Sequence, residues 1–318
     1  MLLLSGKSLL EWWHSPDALL CRDQKNPTTR FRNTVPDPPD QAELSALCNW
    51  NLSSPIELLS NKKGFSAPSK GTVCRCWTSG LPGQALPTST QGVFAPSPGF
   101  CLFQQAQKLT LPQATALGCE FTGTYRFMRD EQTRFDVQPA TTLRRMHNMA
   151  EALAGKKGAA LFRSILPFVI PECASPTETL GMLLLCLPNK YGGFGTEKPV
   201  PNFKVMLSPQ AAAMLHKKTC RCDLYFPKAN IDVEYDGYDD HTGKAKLEQD
   251  AQRRAAIEES GIRVVTLTFQ QLLSPERLSV IANILFHASG KRFRPRCQNF
   301  EARQQELWHD LLFWNPFI

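Results

Sequence analysis

Apolar residues recur with different periods along the chain, and where the period changes the expected elements change with it. Residues 5–20 place Leu9, Leu10, Trp12, Trp13, Leu19 and Leu20 on one side of a short amphipathic helix. Its tryptophan pair suits either a partner surface or the protein's own core, the commoner fate of aromatic residues on a first helix. Residues 22–40 turn polar and proline-rich, NPTTRFRNTVPDPPD among them, and read as a linker. Residues 51–95 alternate short apolar runs with turn residues, the pattern of a small β-rich unit. Ser97-Pro98 then opens a helix, with serine as the cap and proline in the first turn. A second helical piece runs from Pro112 to Leu117 and stops at Gly118. GCEFTGTYRF reads as strand or turn, and residues 141–153 return to helical spacing.

From Ser175 the pattern is more regular. Ser175-Pro176-Thr177-Glu178 opens a helix that Pro188 stops, a glycine-rich loop spans Tyr191 to Gly195, and a strand is expected near Phe203 to Leu207. Ser208-Pro209 starts a short helical turn. Arg221 to Phe226 and Ile231 to Asp236 are two strands about the turn Pro227-Lys228-Ala229-Asn230. A helix over Lys244 to Ser260 stops at Gly261, and Ile262 to Thr268 is a further strand. Ser274-Pro275 begins one more helix, and Phe300 to Trp314 is an amphipathic last helix, apolar enough that it must pack on its own unit or on a partner protein.

A turn centred on Lys228-Ala229 sets Phe226 against Ile231, Tyr225 against Asp232, Leu224 against Val233 and Asp223 against Glu234. Alternation gathers Ile231, Val233 and Tyr235 on one face, and Asp232, Glu234 and Asp236 on the other with Asp223. Four carboxylates on so small a patch repel one another and call for a neutralising charge. A hard divalent cation is one answer, since Mg²⁺ takes one or two carboxylates and completes its shell with water and phosphate oxygens. Arg221, opposite Asp236 in the same register, and nearby lysines are the other.

Composition sets the frame for this chemistry. A chain of 318 residues that is 42% hydrophobic can bury a large core and suits two domains. Lys and Arg outnumber Asp and Glu, 36 to 29, a formal charge of +7 that favours polyanionic partners. The odd number of cysteines, 11, includes two Cys-x-Cys pairs, Cys74/Cys76 and Cys220/Cys222, whose spacing suits buried thiols on one strand face better than zinc. Lys7 and Glu11 interrupt the apolar start before a secretory or spanning segment is complete, so a cytoplasmic setting without a membrane is expected. Lys291, Arg292, Arg294 and Arg296, with Phe293 interleaved, read as a nucleic-acid contact more readily than as a solvated loop.

The order of elements from Ser175 to Thr268, with SPTETL, CDLYFPKANIDVEYDG, His241 and DAQRRAAIEESGIRVVTLT, resembles the PD-(D/E)XK restriction-endonuclease-like superfamily, and within it the very short patch repair endonuclease branch. The resemblance implies an α/β fold: a restriction-endonuclease-like core (αβββαβ) over residues 173–273, a mixed α+β N-terminal region made of 1–50 and 51–155, and C-terminal helices over 274–318. It implies a Mg²⁺ site, with Mn²⁺ able to serve, in which Asp223, Glu234 and Glu178 hold the ion. His241 would act in proton transfer, and Arg253 and Arg254 would either steer phosphate or neutralise the acids. Asp236 stands where most of the superfamily has lysine. Residues upstream, SPGFCLFQQAQKL and LGCEFTGTY, are similar to the region preceding such domains in abortive-infection antitoxin-like proteins. Two functions follow. One is a Mg²⁺-dependent nuclease cutting DNA in repair or phage defence; the other is a catalytically inactive DNA-binding regulator or antitoxin-like partner on the same scaffold.

Overall fold

The computed structural model describes residues 1–20, 34–38, 52–63, 71–89, 92–130, 132–236 and 244–314, with only the backbone over 244–247. The chain divides into two units, one built from residues 1–169 and the other from residue 170 to the last described residue, 314. The expected segments 1–50 and 51–155 therefore share one unit, and the last helices fold with 173–273. No described helix is long and apolar enough to cross a membrane.

In the first unit Leu2–Leu3 lies parallel to Val93–Pro96, which is antiparallel to Ala85–Pro87, and Ile56–Ser60 lies parallel to Thr72–Cys76. Two helices, Gly6–Trp13 and Pro16–Leu20, replace the single run expected over 5–20. Lys7 is the only exposed residue of the first, and Trp13 docks inside the unit by donating from Nε1 to the Pro96 carbonyl at 2.9 Å. Gly118 does not end its helix, which runs over Leu111–Thr122. A Cβ there would fall 2.7 Å from Cγ2 of Val169, so this glycine serves a close approach, and the strand or turn expected from residue 118 begins as helix.

The second unit is mixed α/β, and its starts were written in Ser-Pro pairs. Ser175, Ser208 and Ser274 each cap a helix, Pro176–Cys186, Pro209–Leu215 and Pro275–Ala288, by accepting a main-chain N–H three residues on. Four strands form one sheet in the order Arg263–Thr268, Ile231–Asp236, Thr219–Phe226, Val200–Met206. The first pair is parallel and the other two are antiparallel. Val264 and Leu267, three apart on one strand, point to opposite faces. Val264 packs with Cys220, Cys222 and Ile257 of the helix Lys244–Glu259, while Leu267 meets Gly181 of the helix Pro176–Cys186. Helices thus cover both faces, and Ile231, Asp232, Val233 and Glu234 of the central strand are all buried.

The last helix, Phe300–Leu312, docks on its own unit. Leu307 and Trp308 are buried, and Trp308 Nε1 donates to the Leu272 carbonyl at 2.9 Å. Its backbone lies against the glycine-rich loop so closely that a Cβ on Gly192, at φ +88°, would come within 2.2 Å of the Arg303 carbonyl oxygen. That loop is a packing surface.

Gly181 sets the approach of the Glu178 helix to the sheet, since a Cβ there would lie 2.7 Å from Leu267 Cδ2 and 3.4 Å from Leu272 Cδ2. Gly181→Val is expected to destabilise the protein by about 2 kcal/mol through overpacking, read as a lower midpoint in urea unfolding. An unchanged midpoint would show that the helix can shift without cost.

Candidate functional site

The hairpin Thr219–Phe226 and Ile231–Asp236 forms in the expected register as far as Phe226–Ile231, Tyr225–Asp232 and Leu224–Val233, and there the paired ladder stops. Its turn is pinned from outside: Lys228 and Ala229 donate their N–H groups to Glu197 Oε1 at 2.7 and 3.1 Å, and Asn230 takes the left-handed conformation at φ +51°. Beyond the ladder, side chains take over main-chain roles. Tyr235 N–H donates to Asp223 Oδ2 at 3.1 Å, and Leu224 N–H donates to Asp232 Oδ1 at 3.2 Å. The expected pairs of Asp223 with Glu234 and of Arg221 with Asp236 are not ladder pairs.

The cause is a slip in the pleat. On the other side of this strand, Val200–Met206 keeps one register throughout, yet the Asn202–Asp223 position drops out and Asn202 has φ +51°. Cys222 and Tyr225 then pack in one cluster although three residues apart, and Phe203, opposite Cys222, stacks on Tyr225 with centroids 4.3 Å apart. Alternation has shifted by one residue at Asp223. Its carboxylate is thereby turned toward the second hairpin strand.

What it meets there is Arg253 of the helix Lys244–Glu259. The guanidinium donates from Nη2 to Asp223 Oδ1 at 3.1 Å and from Nη1 to Glu234 Oε1 at 2.6 Å, and Nη2 also reaches the Arg221 carbonyl at 3.2 Å. Burial works against the Arg253 charge, but Glu234 and Asp223 outweigh it and hold its pKa above the ordinary value. Asp232 is fully buried beside them; its Oδ2 has no hydrogen-bond partner among the described residues. Burial raises the Asp232 carboxyl and pushes the Glu234 carboxyl up to about 8, with Arg253 pulling the second down and Asp223 and Asp232 adding repulsion.

Glu178 joins from the helix Pro176–Cys186. Ser175 caps that helix by accepting from Glu178 N–H at 3.1 Å, and Glu178 reaches back past the cap to accept from Ala174 N–H at 3.0 Å. Ser175 Oγ donates to its other oxygen at 2.9 Å. Burial pushes this carboxyl up to about 7, against the Ala174 and Ser175 hydrogen bonds, and the nearby charge of Asp223 adds to the rise. The capping role is real, and the residue also stands within electrostatic reach of the hairpin acids.

Other expected site residues are placed differently. Asp236 is exposed at the strand end, opposite Thr268 of the parallel neighbour, outside the buried acid group. His241 lies outside the described residues. Arg254 is half-buried, whereas Lys291, Arg292, Arg294 and Arg296 are all exposed. Phe293 is not a stacking platform among those basic residues, because it is taken up by Phe194, Phe286 and Phe300 at centroid distances of 5.3, 5.6 and 5.5 Å. Two further residues carry weight, Arg221, which the sequence pattern set opposite Asp236, and Lys204, which it did not single out. Lys204 and Arg221 face each other in the ladder, both are exposed, and neither side chain has an ion-pair partner among the described residues.

The resemblance implies Mg²⁺, and the donors suit a hard ion in kind: carboxylate oxygens alone, one of them, Asp232 Oδ2, buried and unpartnered. As they are placed, no three His, Cys, Asp or Glu side chains among the described residues stand close enough to share an ion, and Arg253 fills the interval between Asp223 and Glu234. Among the described residues the cysteines give no competing centre. Those described are free, with Cys220 and Cys222 buried in the core. In comparisons with known proteins the chain matches no family model, no curated protein and no solved structure.

Raised carboxyl pKa values favour the protonated form in the fold, so the folded chain binds those protons more tightly than the unfolded chain does. The corresponding stability is complete below the unfolded carboxylate range and is lost as pH rises through about 7 for Glu178 and about 8 for Glu234. Glu178→Gln, which keeps the neutral shape, is expected to raise stability by less than about 1 kcal/mol at pH 5 and by about 3 kcal/mol at pH 9. Urea unfolding at the two pH values checks this, and an equal change at both would show that burial does not raise the Glu178 carboxyl.

Proposed function

We propose that the second unit is a restriction-endonuclease-like domain that hydrolyses phosphodiester bonds in DNA with Mg²⁺. One observation carries the reading: acids from three separate elements act on one another, Asp223 and Glu234 on the two hairpin strands sharing the Arg253 guanidinium and Glu178 on a helix standing within electrostatic reach of Asp223. The order of elements supports it too, with one short helix, Pro209–Leu215, added between the first and second strands.

Asp223 and Glu234 would hold the ion, with Asp232 Oδ2 beside them. Bound there, the ion polarises a phosphoryl oxygen and lowers the pKa of a water. Glu178 would reach in from its helix toward the same ion, and His241, outside the described residues, would be the general acid or base. Substrate is held by charge. Like charges directly opposite in a ladder destabilise it, so Lys204 and Arg221, opposed and without an ion-pair partner among the described residues, gain from a polyanion laid across them. Arg221 is two residues from Asp223, about 6.6 Å along the strand.

A second reading, a DNA-binding regulator without catalysis on the same scaffold, is favoured by the Arg253 clamp on the two ion-holding oxygens and by Asp236 where lysine is usual.

Asp223→Asn keeps an oxygen for Tyr235 N–H and removes a charge. It is expected to cut Mg²⁺-dependent nicking of plasmid DNA by roughly 100-fold with the fold intact by circular dichroism. Equal nicking by both proteins, or none by either with Mg²⁺ or Mn²⁺, removes the nuclease reading and leaves the regulator. The substrate contact is checked separately. The double variant Lys204→Met, Arg221→Met is expected to reduce the slope of log K for DNA against log salt by about 1.8, two phosphate contacts' worth. A slope equal to that of the unmodified protein would move the DNA elsewhere on the surface.

A further inference from the structure

Arg253 is the residue of the acid group that the proposed chemistry leaves without a task. It is a long, flexible side chain on a helix, yet both ends of its fork are committed: Nη1 to Glu234 at 2.6 Å, Nη2 to Asp223 at 3.1 Å and to the Arg221 carbonyl at 3.2 Å. The oxygens it holds, Asp223 Oδ1 and Glu234 Oε1, belong to the pair the nuclease reading assigns to the ion. One guanidinium matches its surroundings only while burial keeps Glu234 and Glu178 protonated, up to about 8 and about 7. Asp223, Glu234 and Asp232 all act on it or on one another, Glu178 stands near enough for Asp223 to repel it, and Asp232 is fully buried with Oδ2 unpartnered. A buried carboxylate oxygen without a donor is costly. A fork fixed by two carboxylates and a carbonyl has no hand left to reach it, whereas a divalent ion brings twice the charge at a point.

We propose that Arg253 is the site's tethered counter-cation, holding the place between Asp223 and Glu234 that a divalent ion takes, so that the ion binds by displacing the guanidinium from both carboxylates. Arg253 then stabilises the folded unit when no ion is bound and sets the ion concentration at which the site fills. This deepens the nuclease reading and rests on it for the place of the ion. It does not rest on it for cleavage.

The test reads ion binding, with MnCl₂ and MgCl₂ titrated into the full chain and followed by calorimetry and by thermal unfolding. Arg253→Met is expected to lower the unfolding temperature in chelator and to bind Mn²⁺ about 100-fold more tightly than the unmodified protein, the worth of the two charge-assisted hydrogen bonds no longer to be broken. Arg253→Lys, which keeps the charge but not the fork, is expected to fall between the two. Arg263→Met, the same loss of charge at an exposed position on the neighbouring strand, is expected to leave ion affinity unchanged. Equal affinity in Arg253→Met and the unmodified protein overturns the proposal, and so does equal tightening in Arg263→Met. Should Arg253→Met fail to fold in chelator, refolding on addition of Mn²⁺ supports displacement and continued unfolding overturns it. A chain in which Arg253→Met tightens Mn²⁺ but no form cuts DNA keeps this inference and loses the nuclease reading; cleavage with no tightening does the reverse.

Discussion

Everything in the second unit that bears on function hangs on the fork of Arg253. A central strand buried on both faces normally carries apolar residues on both, and this one carries Asp232 and Glu234 instead. Taking such charges out of water costs several kcal/mol per ion unless a partner and hydrogen bonds make up the loss. Arg253 is that partner for Glu234, at 2.6 Å, and for Asp223, at 3.1 Å. The remainder of the cost is met by protonation, which is why burial carries Glu234 to about 8 while the half-exposed Asp223 remains the acceptor of two donors. A group arranged like this is held together by one side chain and is biased toward anything cationic.

The pleat slip at Asn202–Asp223 is the backbone counterpart of that clamp. A regular strand would have spent Asp223 on the face of Arg221 and left Tyr235 N–H to a main-chain carbonyl. With the alternation shifted, the carboxylate accepts from Tyr235 itself, and the two hairpin strands part beyond Leu224. Asn202, in the left-handed region that asparagine tolerates better than most residues, absorbs the irregularity on the edge strand. Departures from ideal sheet geometry gather at sites where side chains must be aimed, and here the departure and the aimed carboxylate are the same residue.

Much of this architecture was legible in the sequence because its signals are local. Ser-Pro pairs mark helix starts by an unsatisfied N–H and a fixed φ, and those at 97, 175, 208 and 274 each begin one. The turn at Lys228-Ala229 fixed the first three ladder pairs for the same reason. What failed was non-local. Alternation placed four acids together on one face, and nothing in IDVEYD reveals that a helix will cover that face, or that Asp223 will slip out of phase. Gly118 looked like a stop because a glycine demanded by Val169 cannot be told from one demanded by a turn. Phe293 looked available for stacking until three other rings claimed it. Arg253 was visible only as one of two adjacent arginines on a polar helix, with neutralising the acids one of two tasks open to it; which arginine faces the sheet depends on helix phase, set by the burial of Ala256 and Ile257.

The burial of the acids also changes what their charge says about DNA. An exposed sheet face bearing four carboxylates would oppose phosphates, and the acidic pattern would then argue for a metal as the only way to bring the two together. In the folded unit Asp232 and Glu234 are covered, Asp223 is bonded to a guanidinium, and the exposed charges of the adjoining ladder pair are Lys204 and Arg221. The two proposed readings therefore separate at the interior, on whether the fork between Asp223 and Glu234 yields to a stronger charge.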